Sequence, residues 1–172
     1  MRSRTKTRSN ARPKNRQNNV NPHPDFAAVD WPRRFPLGGF LLTPLTHAFV
    51  DEDYAAVMAT APLFDGIFGT WPEGLTREDN LIDLAWHDRE FTARRSFSWI
   101  VRDVQEAYIG CFYLFPELGM RGRAKAVLWL CDIPARVSVA SQLKDALSNW
   151  LADNLPPGIA IEWTSRPRIG AT

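Results

Sequence analysis

The sequence predicts an α+β fold, a layered α/β arrangement with a mixed, mostly antiparallel sheet flanked by helices. Three observations predict it. Ser96 to Asp132 reads as three consecutive strands. Residues 141 to 153 carry the cleanest amphipathic stripe in the chain, and a short apolar strand follows. Two capped helical segments precede the three strands. The order strand, helix, helix, three strands, helix, strand lays helices on a sheet.

At 172 residues the chain has room for one core. Its 45% apolar content and seven tryptophans argue for a folded interior. The net charge of +2 hides a split. Seven of the 21 basic residues (Arg2, Arg4, Lys6, Arg8, Arg12, Lys14, Arg16) fall in residues 1 to 20, where no acid stands, leaving 14 against 19 acidic residues elsewhere. Residues 1 to 24 therefore read as a disordered basic N-terminal arm. The remainder is mildly acidic, which disfavours nucleic acid as a partner except weakly through that arm. An RNA-associated role through the arm and a targeting peptide are the sharper readings of it. Arg33-Arg34 before Phe40-Leu41-Leu42 suggests a twin-arginine signal, but Pro36 and Pro44 break the apolar run and no cleavage site follows. No run approaches the roughly 20 apolar residues of a membrane helix, so no membrane partner is expected.

The domain is expected over 38–165, with 166–172 as a tail. Phe40 to Leu45 is its first strand, with Pro44 at an edge or end. Asp51 to Ala61 is a helix with Ala55, Val57, Met58 and Ala61 inward, ended by Pro62. Thr76-Arg77-Glu78-Asp79 forms a capping box for a helix running to about Arg95. Its Leu81, Leu84, Ala85 and Phe91 would face the core. Phe97 to Val101 alternates as a half-buried strand, while 107–115 and 126–131 are apolar enough to be covered on both faces. Leu143, Ala146, Leu147, Trp150 and Leu151 make one stripe on the last helix. Ile159 to Trp163 should pair parallel to the third strand of the run. Cys111 and Cys131 lack CxxC spacing and read as buried thiols of a cytoplasmic protein. His87 and Glu90, at i and i+3, share a helix face that suits an acid/base pair; with no third ligand in reach by spacing, no metal is expected. A substrate-side polar pair near Trp71 and a plain solvated face are the other readings.

Several pieces resemble the GNAT superfamily of acetyltransferases, in particular a bacterial GNAT-like group. They are Thr43-Pro44-Leu45-Thr46, Trp71-Pro72, Leu75-Thr76, Glu78-Asp79-Asn80-Leu81, Trp86-His87, Glu90-Phe91, Arg95-Ser96-Phe97, Gly110-Cys111-Phe112-Tyr113 and Trp129. The resemblance spans about Phe40 to Trp163. It implies a GNAT-like acyl-CoA N-acyltransferase fold and acetyl-CoA as co-substrate. The expected acceptor is a small-molecule or protein amine, and a homodimer is left open.

By that resemblance acetyl-CoA lies in a V that opens at Leu130 and Cys131. Its pyrophosphate would rest on Arg136, Val137, Ser138, Val139, Ala140 and Ser141 at the head of the next helix. Helix N-termini hold anions by their free N–H groups and dipole. Val139 and Ser141 stand where the superfamily pattern has small residues, and a β-branched residue at such a turn would block the phosphates. A non-catalytic interaction module with a degenerate loop is therefore the rival reading. For chemistry, Asp132 lies near the implied thioester, its plainer role being a turn aspartate. Tyr113 could be the acid and Glu90 a further acid/base group, with Trp71 and His87 toward substrate. The superfamily often uses a tyrosine on the helix after the phosphate loop, and residues 141 to 153 contain none.

Overall fold

Among the described residues six strands join in chain order: β1 (Phe35–Leu37), β2 (Phe40–Pro44), β3 (Phe97–Arg102), β4 (Tyr108–Pro116), β5 (Arg123–Leu130) and β6 (Ala160–Trp163). Every neighbouring pair is antiparallel except β5 and β6, which run parallel. The helices are α1 (Val50–Thr60), α2 (Arg77–Thr92) and α3 (Arg136–Asn154). This computed structural model describes residues 21–64 and 66–164. Residues 1 to 20 of the expected arm, and the expected tail 166–172, lie outside them.

Side chains alternate across the sheet, so each central strand feeds two cores. On the α3 side, Trp99, Phe112, Leu114 and Leu130 pack with Leu143, Leu147 and Leu151. On the α1 and α2 side, Ile100, Cys111, Tyr113, Val127 and Trp129 pack with Val57 and Leu84. This double coverage explains why 107–115 and 126–131 read as nearly continuous apolar runs. The stripe on α3 lies as the spacing predicts, and Thr76 and Asp79 make the capping box.

The folded unit begins well before residue 38. Phe26, Val29, Trp31 and Phe35 are all buried. Phe35 stacks on Trp150 with ring centroids 4.7 Å apart, and Trp31 lies 4.5 Å from Phe97 and 4.9 Å from Trp150. Trp31 Nε1 donates to the Asn154 carbonyl at 3.3 Å, tying this strap to the end of α3. Gly38 and Gly39, both at positive φ, form a two-residue hairpin turn that adds β1 beside β2. The twin arginines serve packing: Arg33 pairs with Asp88 and lies over Phe91, and Arg34 pairs with Glu106.

The inward faces of α1 and α2 also differ from expectation. On α1 the buried residues are Val50, Asp53, Val57 and Thr60, while Ala55 and Met58 point out. On α2, Asn80, Leu84, His87, Glu90 and Phe91 are buried and Ala85 is exposed. His87 and Glu90 are thus no solvated face. Apolarity alone does not mark the inward stripe: Asp53, Asn80, His87 and Glu90 turn inward because each finds a partner, whereas the buried Thr60 hydroxyl has none among the described residues.

On β4, Gly110 lies opposite Leu130 of β5 and beside a register shift between β3 and β4. A Cβ at Gly110 would lie 2.1 Å from the Trp129 carbonyl oxygen. Gly110→Ala must therefore force the two strands apart. We expect a loss of about 3 kcal/mol in denaturant unfolding, in the range of backbone-strain substitutions.

Candidate functional site

The site arises from unequal strand lengths. β5 pairs with β6 from Arg123 opposite Ala160 to Ala126 opposite Trp163. A last bond runs from the Thr164 N–H to the Ala126 carbonyl at 2.9 Å. β5 then continues to Leu130 on β4 alone. Backbone direction alternates along a strand, and the Arg123 carbonyl and Cys131 N–H bond toward β4. The N–H and C=O of Leu128 and the N–H of Leu130 consequently face the side of β5 where no strand pairs with it among the described residues. Among the described residues, pairing between β5 and β6 ends at Ala126.

Across this edge stands the head of α3, with a cavity of about 350 Å³ between them. Leu130, Arg136, Val137 and Ala140 line it. Leu63, Ile67, Leu128, Trp129 and Thr164 complete it. Sequence reasoning missed Leu63 and Ile67 because they sit in the irregular connection after α1, whose pattern fixes no face.

The helix head is bare. Ala135, its N-cap, adopts left-handed φ (57°) and supplies no side-chain cap. Arg136 N–H reaches the Ile133 carbonyl at 3.2 Å and Val139 N–H reaches Ala135 at 2.9 Å. The amides of Val137 and Ser138 have no partner among the described residues, so the positive end of the helix dipole lies open. Arg136 Nε donates to the Leu130 carbonyl at 3.0 Å, which fixes the guanidinium at the end of β5.

Helix α3 starts five residues before Ser141, and this corrects the phosphate-loop reading. Val139 lies within the first turn of the helix, and its side chain packs into the α3-side core. It neither forms the turn nor fills the cavity, so its β-branch is no obstacle. Ser138 and Ser141 are exposed and their hydroxyls do not line the cavity. Cys131 turns its thiol to the opposite face, where burial pushes its pKa up. Open strand edge, bare amides and Arg136 fit an extended ligand ending in an anionic group.

The candidate acid and base residues separate. Asp132 is exposed just past β5, between Leu130 and Arg136, and makes no hydrogen bond or ion pair with the described residues. The Tyr113 hydroxyl is buried under Trp129, whose Nε1 is 3.4 Å away. Burial, then the neighbouring Cys111 and Asp53, push its pKa well up, so the phenol stays protonated. Glu90 does not line the cleft and is held by Arg95 at 3.0 Å. His87 does not meet Glu90: its Nδ1 is 2.9 Å from Ser98 Oγ and its Nε2 is 3.4 Å from Asp83. Trp71 and His87 belong to one aromatic chain, with Phe68 5.3 Å from Trp71 and 6.3 Å from Tyr113, and His87 5.3 Å from Tyr113.

A buried carboxylate was also missed. Asp53 accepts from Tyr108 Oη at 2.6 Å and from Asn80 Nδ2 at 2.9 Å. Its place between Val50 and Val57 in the helical period was the available signal.

No protein-family model matches the sequence, and no curated protein matches it. Solved structures do. RimL, a ribosomal L7/L12 alpha-N-protein acetyltransferase solved in complex with coenzyme A, superposes with TM-score 0.59 at 16% identity over 69% of this chain and 67% of its own. The apo crystal form of RimL gives TM-score 0.56, and this chain spans 65% of its length, just under two thirds. A GNAT-family acetyltransferase from Bordetella pertussis gives 0.54 at 13% identity, over 71% and 74% of the two chains. MccE, a microcin C7 self-immunity acetyltransferase solved with acetyl-CoA and AMP, gives 0.55 at 12%, over 78% and 70%. The chain has the GNAT acyltransferase fold.

Burial raises the Asp53 pKa above its ordinary 3.8, outweighing its two hydrogen bonds. The folded state therefore holds this proton more tightly than the unfolded chain. Its contribution is complete below the unfolded value and declines as pH rises through the raised one. Asp53→Asn, whose amide can still bond Asn80 and Tyr108, should flatten the fall in stability above about pH 4. Urea midpoints measured from pH 4 to 8 check this.

Proposed function

We infer that the protein is an acetyl-CoA-dependent N-acetyltransferase acting on an amine of a small molecule or protein. One observation carries the reading: among the described residues, a strand edge with unpaired amide groups faces an uncapped helix head across one cleft. The coenzyme A and acetyl-CoA complexes of fold neighbours support the choice of ligand. So does the chemistry, since a pantetheine arm carries amides that can extend a β-ladder, and its pyrophosphate is a dianion.

Acetyl-CoA, when bound, supplies the thioester that the amine attacks. The chain's own groups do the rest. Leu128 N–H and C=O hold the arm as a short added strand. Leu130 N–H faces the cleft as a donor for the thioester oxygen. Val137 and Ser138 amides and the Arg136 guanidinium bind the phosphates. Asp132, the carboxylate nearest the end of β5, accepts the amine proton. The acceptor enters along the aromatic side that includes Trp71, Phe68 and Tyr113. Two free thiols accord with work in the reducing cytoplasm.

The rival reading, a non-catalytic module, draws on the buried Tyr113 hydroxyl, which removes the expected acid for the departing thiolate. Binding and turnover separate the two. Calorimetric titration with acetyl-CoA should show micromolar affinity, weakened about tenfold by Arg136→Ala through loss of a charge-assisted phosphate contact. No heat at millimolar ligand would overturn the cleft reading. Thiol release with a panel of amines and N-terminal peptides tests catalysis. Asp132→Asn should lower kcat about 100-fold while leaving acetyl-CoA affinity unchanged; binding without turnover of any amine would establish the module.

A further inference from the structure

A second cavity lies at the other end of the sheet. β4 and β5 are antiparallel, so the end of β4 meets the start of β5, with Phe115 opposite Lys125. Around that pair opens a cavity of about 800 Å³, more than twice the volume of the cleft and sharing no lining residue with it. Lys125 and Leu130 are five residues apart on β5, a separation of about 17 Å. The volume lies in the range of small-molecule sites.

The lining has a definite chemistry. Trp86 of α2 and Phe115 and Pro116 of β4 give apolar walls, and Pro22 and Pro24 close another side. Trp86 is 44% exposed, and the neighbouring apolar rim includes Leu118 at 89%. Most lining charges are already matched. Glu90 is held by Arg95 at 3.0 Å, and Glu117 by Arg123 at 3.1 Å. Lys125 alone among the lining charges has no carboxylate within 4.0 Å among the described residues. His23 adds a donor: its Nδ1 accepts the Asp25 N–H at 3.3 Å, which leaves the proton on Nε2. Ser96 also lines the cavity, and its buried hydroxyl has no hydrogen-bond partner among the described residues. An unmatched cation beside aromatic walls selects a ligand with one negative charge and an apolar body.

We propose that this cavity binds an apolar carboxylate, with its ring or branched chain between Trp86 and Phe115 and its carboxylate at Lys125. A free aromatic acid and the C-terminal residue of a peptide offer the same chemistry. The site stands apart from the acetyl-transfer reading, since it uses none of the cleft residues.

Calorimetry on the full chain tests it with 3-phenylpropionate, its amide, phenethylamine, and the peptide Gly-Gly-Phe with free or amidated C-terminus. A carboxylate should bind saturably, and its amide about fivefold more weakly, as a rim ion pair allows. Lys125→Met should cause a similar loss and Trp86→Ala a larger one, with melting temperature and acetyl-CoA titration unchanged in both. Binding of the free acid alone identifies a small metabolite, and of the peptide alone a protein terminus. Equal affinity for acid and amide, preference for the amine, indifference to Lys125→Met, or no saturable heat from any probe would overturn the proposal.

Discussion

The candidate site depends on one constraint: β5 is eight residues long and its parallel partner β6 is four. A strand that outruns its neighbour normally leaves unpaired amides, a liability at any sheet edge. Here the surplus half of β5 cannot drift. β4 holds it in register up to Leu130, and Arg136 ties the Leu130 carbonyl to the helix that follows. The opening is therefore a fixed feature of the fold, with edge donors and helix amides aimed into the same space. An electrostatic site that needs no rearrangement on binding keeps more of its gross interaction energy.

Rigidity behind the cleft comes from aromatic packing on both faces. Trp99 stacks with Phe97 and Phe112 and meets Trp150 edge-on, while Phe64 meets Trp129 at 90°. Such contacts add specific geometry to buried area. At the end of β3, Arg102 makes a bidentate pair with Glu52 at 2.6 and 2.8 Å, which locks α1 to β3 and draws the Glu52 pKa down. The polar groups buried on α1 and α2 sit inside this frame.

Much of the fold was legible in the sequence, because period-two strands and the Leu143, Leu147, Leu151 stripe are local signals. The cleft was half legible. Leu130, Arg136, Val137 and Ala140 could be placed from a resemblance of wording, but Leu63 and Ile67 reach the cleft only through tertiary packing. The start of α3 was misread because no capping side chain marks it: Ala135 closes the turn by backbone conformation alone. That error created the apparent conflict at Val139. Asp53 is not legible as an interior group because polarity alone suggests exposure, whereas a satisfied polar group belongs inside as readily as an apolar one.

The aromatic strap from Phe26 to Phe35 has a consequence for synthesis. Its stacking partner Trp150 is made more than a hundred residues later, so a nascent chain carries these rings wet while most of the sheet is already translated. Native closure must wait for the last helix to clear the ribosome, and until then the strap offers an adhesive surface that a chaperone would cover.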